Sequence, residues 1–379
     1  MRASIIGGGI AGLSTALALH NLGLELELYE AAPNLKTVGA GIILSPNALY
    51  IYERLGIREQ LERSGYPLSR FDIKSARGEL IQAAEAHFEQ HGKRYRSIGI
   101  HRGNLQRVLV GNLPSETLHL GKRLKRLEPE TSRVHFEDGE TLDADYIIAA
   151  DGVHSPVRQT LFPDTRLRYS GQTCWRGVAD ISLSEQHLRT TAEFWGVGVR
   201  FGYVPIKRNK IYWFATSVQA AGQKDKDPEQ SRQRLASLFQ SFVEPVPRLI
   251  DASAASIVQH DLYDIPPLAA WYRHRTVLIG DAAHAMTPNM GQGAAQGTED
   301  AWALSHALKN NSTEKAFESY ARARYKKVNR VAKLSWQIGQ ITNLRSGVLC
   351  SLRNKVVALT PTGFVEKRRR QLFEVPAYS

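Results

Sequence analysis

Ala3-Ser4-Ile5-Ile6-Gly7-Gly8-Gly9-Ile10-Ala11-Gly12 is the stretch that decides the fold. Its first four residues read as a short buried parallel strand, and the glycines follow at once. Ala11–Leu22 then reads as a helix ending near Gly23, and Glu25–Tyr29 as a second strand with Glu30 at its end. Strand, glycine turn, helix, strand and acid, in that order, make a dinucleotide-binding unit. Gly7, Gly9 and Gly12 keep the turn tight and let backbone approach a pyrophosphate. The unpaired N–H groups at the helix N-terminus would meet that anion. Glu30, 18 residues after Gly12, is suited to accept a hydrogen bond from a ribose hydroxyl and favours a ribose without a 2′-phosphate. The unit does not separate NAD from FAD.

A second glycine signal follows about 270 residues later: Gly280-Asp281-Ala282-Ala283-His284-Ala285-Met286-Thr287-Pro288, then Gly291-Gln292-Gly293. Tyr146–Ala149 and Thr276–Ile279 read as further buried strands, running into Asp151-Gly152 and Gly280-Asp281. Three strand ends therefore carry Gly7, Asp151 and Asp281, and ligands gather at strand carboxyl ends in a doubly wound sheet. The texture changes in Phe71–Ile81 and Glu193–Val218, which are β-rich and suggest a separate sheet. Gly222–Ser231 is polar and reads as an exposed connection. The expected class is α/β: a Rossmann-like domain with a β-rich domain inserted, plus C-terminal helices.

The chain has 379 residues, 42 % hydrophobic and 23 % charged, the balance of a globular protein. Cys174 and Cys350 give no disulfide framework and no metal pattern, which fits a reducing, cytoplasmic setting. The N-terminus carries no cleavage-type segment, and no apolar run approaches transmembrane length. The net charge of +12 is concentrated in the tail: Thr313–Ser379 holds 14 Lys and Arg against 4 acids. A surplus confined to one segment argues against a nucleic-acid-binding surface. The tail reads as a solvated helical face, a docking site for a phosphorylated nicotinamide cofactor, or a weak membrane contact. Its apolar residues Val331, Leu334, Trp336, Ile338 and Ile341 fit a helix packed on the dinucleotide domain or one touching a membrane.

These motifs together resemble the single-component FAD-dependent aromatic hydroxylases, the class A flavoprotein monooxygenases. Four elements match in order: Gly7-x-Gly9-x-x-Gly12 with Glu30; Arg102 after a strand; Asp151-Gly152 followed by Arg158; and Gly280-Asp281 with Pro288 and Gly291-Gln292-Gly293. Pro-Asn-Met-Gly-Gln-Gly looks most like the salicylate hydroxylase, urate hydroxylase and zeaxanthin-epoxidase branch. The resemblance implies an FAD-binding domain over 1–70, 97–170 and 266–325, a β-rich substrate domain over 71–96 and 171–265, and a basic helical segment over 326–379.

It also implies roles. Gly7, Gly9, Gly12 and Glu30 would hold the ADP half of FAD, Arg102 the pyrophosphate or ribose region, and Asp281 the ribityl or pyrophosphate portion. Asp151 would serve FAD and the nicotinamide cofactor; Gly39 and Gly41 would lie in a loop near the flavin. A helix from about Gln292 to Leu308, opened by Gly291 and Gly293 and shaped by Pro288, would stabilise negative charge on reduced flavin. His284 reads as a structural part of its loop. Substrate candidates are Arg200, Tyr203, Tyr212 and Trp213, with Arg200 and Tyr212 placed like the substrate contacts of urate-hydroxylase-type relatives; Trp175 and Arg176 are ambiguous. The implied reaction uses NAD(P)H and O2 to hydroxylate or epoxidise an aromatic or polyene small molecule through a flavin hydroperoxide, without metal. Alternatives on the same fold are a flavin-dependent reductase or oxidase and a non-catalytic binding protein. Monomer and homodimer both remain open.

Overall fold

The computed structural model describes residues 2–35, 41–253 and 257–377. Its first sheet has six strands in the order Leu118–Leu120, Leu26–Glu30, Ala3–Ile6, Tyr146–Ala149, Thr276–Leu278 and Tyr272–Arg273. All neighbours pair parallel except the last. Ala3–Ile6 and Tyr146–Ala149 are buried along their whole length, which is why they read as unbroken apolar runs rather than alternating ones.

Helix Ile10–Asn21 follows the glycine turn and buries nine of its twelve residues. Each fully buried leucine, such as Leu13 and Leu19, contributes about 1.5–3 kcal/mol. The helix ends where Gly23 turns left-handed at φ 71°: Gly23 N donates to His20 O and Leu24 N to Leu19 O, satisfying two orphan carbonyls. It packs on helix Gly293–Asn310, which packs in turn on the 30-residue helix Thr313–Thr342.

The second sheet has seven strands, in the order Val258–Asp264, Arg168–Ala179, Lys210–Val218, Val199–Lys207, Thr190–Trp195, Arg70–Ser75 and Leu80–Glu85. Only Thr190–Trp195 and Arg70–Ser75 pair parallel. One face buries Trp175, Phe201, Tyr203 and Trp213 against residues of the helices Pro228–Leu238 and Val246–Asp251. The polar stretch Gly222–Ser231 is thus not all connection. Asp227 caps a helix from Pro228 by accepting a hydrogen bond from Gln230 N at 2.8 Å. An acid at the cap followed by proline at the first position is the start signal that the polarity of this stretch masked.

A small sheet of Gly41–Leu44, Ile98–His101 and Gly65–Pro67 packs against strands Val199–Lys207 and Lys210–Val218 of the second sheet. Among the described residues no helix is long and apolar enough to cross a membrane. Nor does any group of three or more His, Cys, Asp or Glu there suit a metal ion.

Candidate active site

Parallel order places Ala3–Ile6, Tyr146–Ala149 and Thr276–Leu278 side by side, so Gly7, Asp151 and Asp281 emerge at one sheet edge. Each motif glycine there meets a different constraint. Gly7 has φ 108°, and a Cβ on it would stand 2.4 Å from Ala150 O. A Cβ on Gly12 would stand 1.9 Å from Gly7 O, so the helix can lie this close to the strand only without a side chain. A Cβ on Gly9 would meet nothing within 4 Å. The space on the Cβ side of Gly9 is therefore open, and a pyrophosphate approaching the helix N-terminus would need such space. Glu30 accepts hydrogen bonds from Gly8 N at 2.7 Å and Ala32 N at 2.8 Å, which holds its carboxylate beside the turn.

Asp281 is exposed to water, yet burial pushes its carboxyl pKa up, against the pull of His284, Arg102 and Arg158. That combination describes a side chain lining a deep cleft. Asp151 accepts from Val157 N at 3.1 Å with one oxygen, while its buried Oδ1 has no partner among the described residues. Burial raises its pKa as well. Arg102 opens the helix Arg102–Val110 directly after strand Ile98–His101. It is exposed, with no ion pair or hydrogen bond among the described residues, and its charge reaches Asp281. Arg158 is buried and spent on backbone: it donates to Asp281 O at 3.3 Å, Ala282 O at 3.1 Å and Val153 O, tying two strand ends together.

Pro288–Met290 form a single 3-10 turn, Gly291 turns left-handed at φ 61°, and helix Gly293–Asn310 begins. Pro288 and Gly291 are exposed. The side chain of Gln292 points into the protein: it donates to Ser45 Oγ and accepts from Asn47 Nδ2, both at 3.2 Å. What Gln292, like Gly291 and Gly293, offers the cleft is backbone and the positive end of an 18-residue helix.

Beneath that end lies a buried ionic cluster. Arg324 binds Asp300 at 2.8 Å and Glu299, Lys327 binds Glu299 at 2.8 Å, and His284 binds Asp300 at 2.5 Å. Burial opposes ionised Asp300, but His284 and Arg324 outweigh it and hold the pKa at about 2. His284 also packs on the Trp271 ring at 5.1 Å, so it is built into the loop's support.

The second sheet meets the cleft with one face only. Strand alternation puts Arg176 and Val178, Tyr212, Phe214 and Thr216, and Arg200 and Val204 on a single face through the registers Arg176–Phe214, Val178–Tyr212, Arg200–Thr216 and Val204–Tyr212. Tyr203, Trp213 and Trp175 project from the opposite face into the core. Trp213 Nε1 donates to Ser253 Oγ at 2.8 Å and Trp175 Nε1 to Asp225 at 2.9 Å. The expectation that Tyr203 and Trp213 are substrate candidates is therefore corrected: their odd parity turns them away from the cleft.

Arg200, 1 % exposed, donates to Asn289 Oδ1 at 2.5 Å and lies 3.4 Å from Glu193. Asn289 belongs to the Pro288–Met290 turn, so the two halves of the site touch here. Tyr212 packs on Gly41, where a Cβ would lie 2.3 Å from its own. Gly41 is thus required by the Tyr212 ring. Gly39 lies outside the described residues. Burial pushes the Tyr212 phenol up to about 12, against the nearby Arg176. Arg176 has no carboxylate within ion-pair distance among the described residues, and its Nε has no hydrogen-bond partner. Asn289, Glu299, Asp300 and Arg324 were not singled out from sequence. Only Glu299-Asp300, two adjacent acids inside an apolar helix, left a visible signal.

A parallel sheet ending in a glycine turn, open space beside Gly9 and a cleft-lining aspartate beside a second helix N-terminus have the form of a dinucleotide-cofactor site, with a second sheet packed against it. Residues 1–335 match the family described as FAD binding domain. The chain is 36 % identical over 371 residues to an aurachin C monooxygenase/isomerase of Stigmatella aurantiaca, covering 97 % of this chain and 96 % of that one. It is 32 % identical to a 2-heptyl-3-hydroxy-4(1H)-quinolone synthase of Pseudomonas aeruginosa, covering 98 % of both. Among solved structures, Klebsiella pneumoniae HpxO complexed with FAD and uric acid superposes with a TM-score of 0.86 at 27 % identity, over 98 % of this chain and 96 % of that one. The protein belongs to the FAD-binding-domain family and is an FAD-dependent monooxygenase, an oxidoreductase.

Proposed function

We propose that this monooxygenase draws two electrons from NAD(P)H and hydroxylates a flat aromatic ring bearing an ionisable oxygen, of the 4-quinolone type. The balance is substrate C–H, O2, NAD(P)H and H+ giving C–OH, NAD(P)+ and water. The observation that carries this reading is the 2.5 Å hydrogen bond from Arg200 to Asn289. It joins the substrate-sheet face to the turn that opens helix Gly293–Asn310, so a ring on that face lies beside the helix N-terminus. The quinolone class is supported by the Pseudomonas relative at 32 % identity over 98 % of the chain. It suits a face that sets apolar Ile43, Val178 and Phe214 beside Tyr212.

Bound FAD supplies the electron transfer and oxygen activation. Gly7 and Gly12 keep the turn tight, Gly9 admits its pyrophosphate, and Glu30 accepts from its adenosine ribose. Arg102, Asp151 and Asp281 serve the middle of the cofactor, and Gly41 borders the flavin. The N–H groups after Gly291 offset charge on the reduced ring, with Pro288 shaping their turn. Tyr212 stays a neutral phenol and donates to the substrate's ring oxygen. Arg176 and Arg200 offset charge as that oxygen ionises, which enriches the ring carbon that takes up oxygen.

The test is turnover under 18O2 with NADH or NADPH and a 2-alkyl-4-quinolone, beside phenols and purines. The expected result is quinolone-stimulated NAD(P)H consumption and a product carrying one heavy oxygen. Consumption with no oxygen in the product replaces this reading with a reductase or oxidase. Stimulation by purines or phenols alone overturns the substrate class.

A further inference from the structure

Helix Gly347–Ala358 has one buried face and one apolar face that none of the described residues covers. Its inner face holds Cys350 and Arg353, both buried. The Arg353 guanidinium lies 5.1 Å over the Trp195 ring and donates to Gly196 O at 3.4 Å. The outer face carries Val348, Leu349, Leu352 and Val356, continued by Leu359, all 48–80 % exposed. At 100° per residue these five side chains form one stripe about 100° wide. Scattered exposed aliphatics are ordinary, but a continuous stripe marks an interaction surface. Phe364, on the following helix, is also exposed and lies under Arg368 at 4.4 Å.

The surrounding charge selects the occupant. Residues 345–373 contain seven Lys and Arg and a single acid, Glu366. Lys355, Lys367, Arg368 and Arg370 are exposed. A second copy of the chain would set this positive surface against itself. An anionic lipid surface satisfies both the stripe and the charge. We propose that helix Gly347–Ala358 lies flat in the headgroup layer of an anionic bilayer, its aliphatic stripe inward, with the Lys367–Arg370 cluster on lipid phosphates. Twelve residues are too few to span the hydrocarbon, so the docking is peripheral and salt-sensitive. Trp195, which Arg353 covers, pairs across the sheet with Arg200. The docked helix thus stands one side chain from the proposed substrate face, where a lipid-dissolved ring would enter. That entry rests on the proposed function; the docking does not.

The test is cosedimentation of the FAD-loaded full chain with vesicles of phosphatidylglycerol and phosphatidylcholine, against phosphatidylcholine alone. Flavin absorbance reports folding, and no turnover is needed. The parent should bind the anionic vesicles and release in high salt. Val348→Ser/Leu352→Ser/Val356→Ser/Leu359→Ser should lose about 100-fold or more, since each aliphatic withdrawn from water is worth up to roughly tenfold. Lys367→Glu/Arg368→Glu/Arg370→Glu should lose anionic preference. No parental binding, or equal binding by the serine variant, overturns the proposal. So does a stable dimer in vesicle-free buffer that the serine variant dissociates, which would assign the stripe to a second copy.

Discussion

Gly9→Ala and Gly12→Ala should fail in different ways, because the structure gives the two glycines different surroundings. Gly9 caps helix Ile10–Asn21 with φ −72° and ψ −176°, a conformation alanine adopts freely. Its new methyl would meet no protein atom within 4 Å. Losing a glycine cap costs up to about 1 kcal/mol, and stiffening the unfolded chain returns about 0.4–1 kcal/mol. The FAD-free protein should therefore keep its stability to within about 0.5 kcal/mol. The same methyl occupies the approach to the pyrophosphate, and overpacking of about 1–3 kcal/mol there weakens FAD roughly 5- to 150-fold. Gly12→Ala would put Cβ 1.9 Å from the Gly7 carbonyl oxygen, where real contacts stay beyond 3.0 Å. That oxygen is backbone and cannot rotate aside, so strand and helix must part by about 1 Å. The FAD-free protein should lose about 3 kcal/mol or more. Urea denaturation of both FAD-free variants and FAD titration followed by flavin fluorescence measure the two effects. Gly9→Ala binding FAD within twofold of the parent, or Gly12→Ala unfolding at the parent's urea midpoint, would contradict these two roles.

Arg324→Met leaves Glu299 and Asp300, both fully buried, short of a counter-charge and should cost about 3–5 kcal/mol in chemical denaturation; a loss under about 1 kcal/mol contradicts the cluster's balance. Asp300, held at about 2 against an ordinary 3.8, contributes stability that is present above pH 4 and lost as pH falls from about 4 to 2. The loss is on the order of 2 kcal/mol, and Asp300→Asn should flatten that acid limb of a stability–pH profile. Tyr212→Phe should slow oxygenated product formation about 100-fold and leave FAD affinity unchanged. With the phenol at about 12, the parent's rate profile should carry no Tyr212 inflection below about pH 11; one near 10 that disappears in the phenylalanine variant would contradict its neutral role.

Short-range signals were legible and long-range ones were not. Tyr146–Ala149 and the turn at Gly7 could be read because burial on both sheet faces and a forbidden Cβ leave local marks. Helix Gly293–Asn310 differs by two residues or fewer at either end from its expected span, since Gly291 announces it. Arg200 and Asn289 are 89 residues apart, and neither carries a local sign of the other. Arg324 reaches helix Gly293–Asn310 from the next helix, so its partners depend on how two helices pack. Tyr203 and Trp213 failed for a different reason. Their parity was in the sequence, but the face each parity takes is set by the strand registers and by the helices covering one side. The tail divides likewise: Val331 is buried in a packed helix, while Val348 to Leu359 repeat a helical pattern that nothing among the described residues covers.

The same structure explains how a cleft rich in acids can accept anions. Glu299 and Asp300 are matched by Arg324 and Lys327 and project little field. Both oxygens of Glu30 accept from backbone N–H groups. Asp151 and Asp281 face the cleft, but burial shifts both toward their neutral forms. Arg102 and Arg176 have no ion-pair partner among the described residues, and the N-termini of helices Ile10–Asn21 and Gly293–Asn310 open on the same sheet edge. The acids are thus paired, hydrogen-bonded by backbone or disfavoured as anions by burial, while Arg102, Arg176 and two helix N-termini add positive charge. Their field favours a pyrophosphate, a reduced flavin and an ionised aromatic oxygen alike. On the proposed function, a single electrostatic arrangement would serve both cofactor binding and substrate activation.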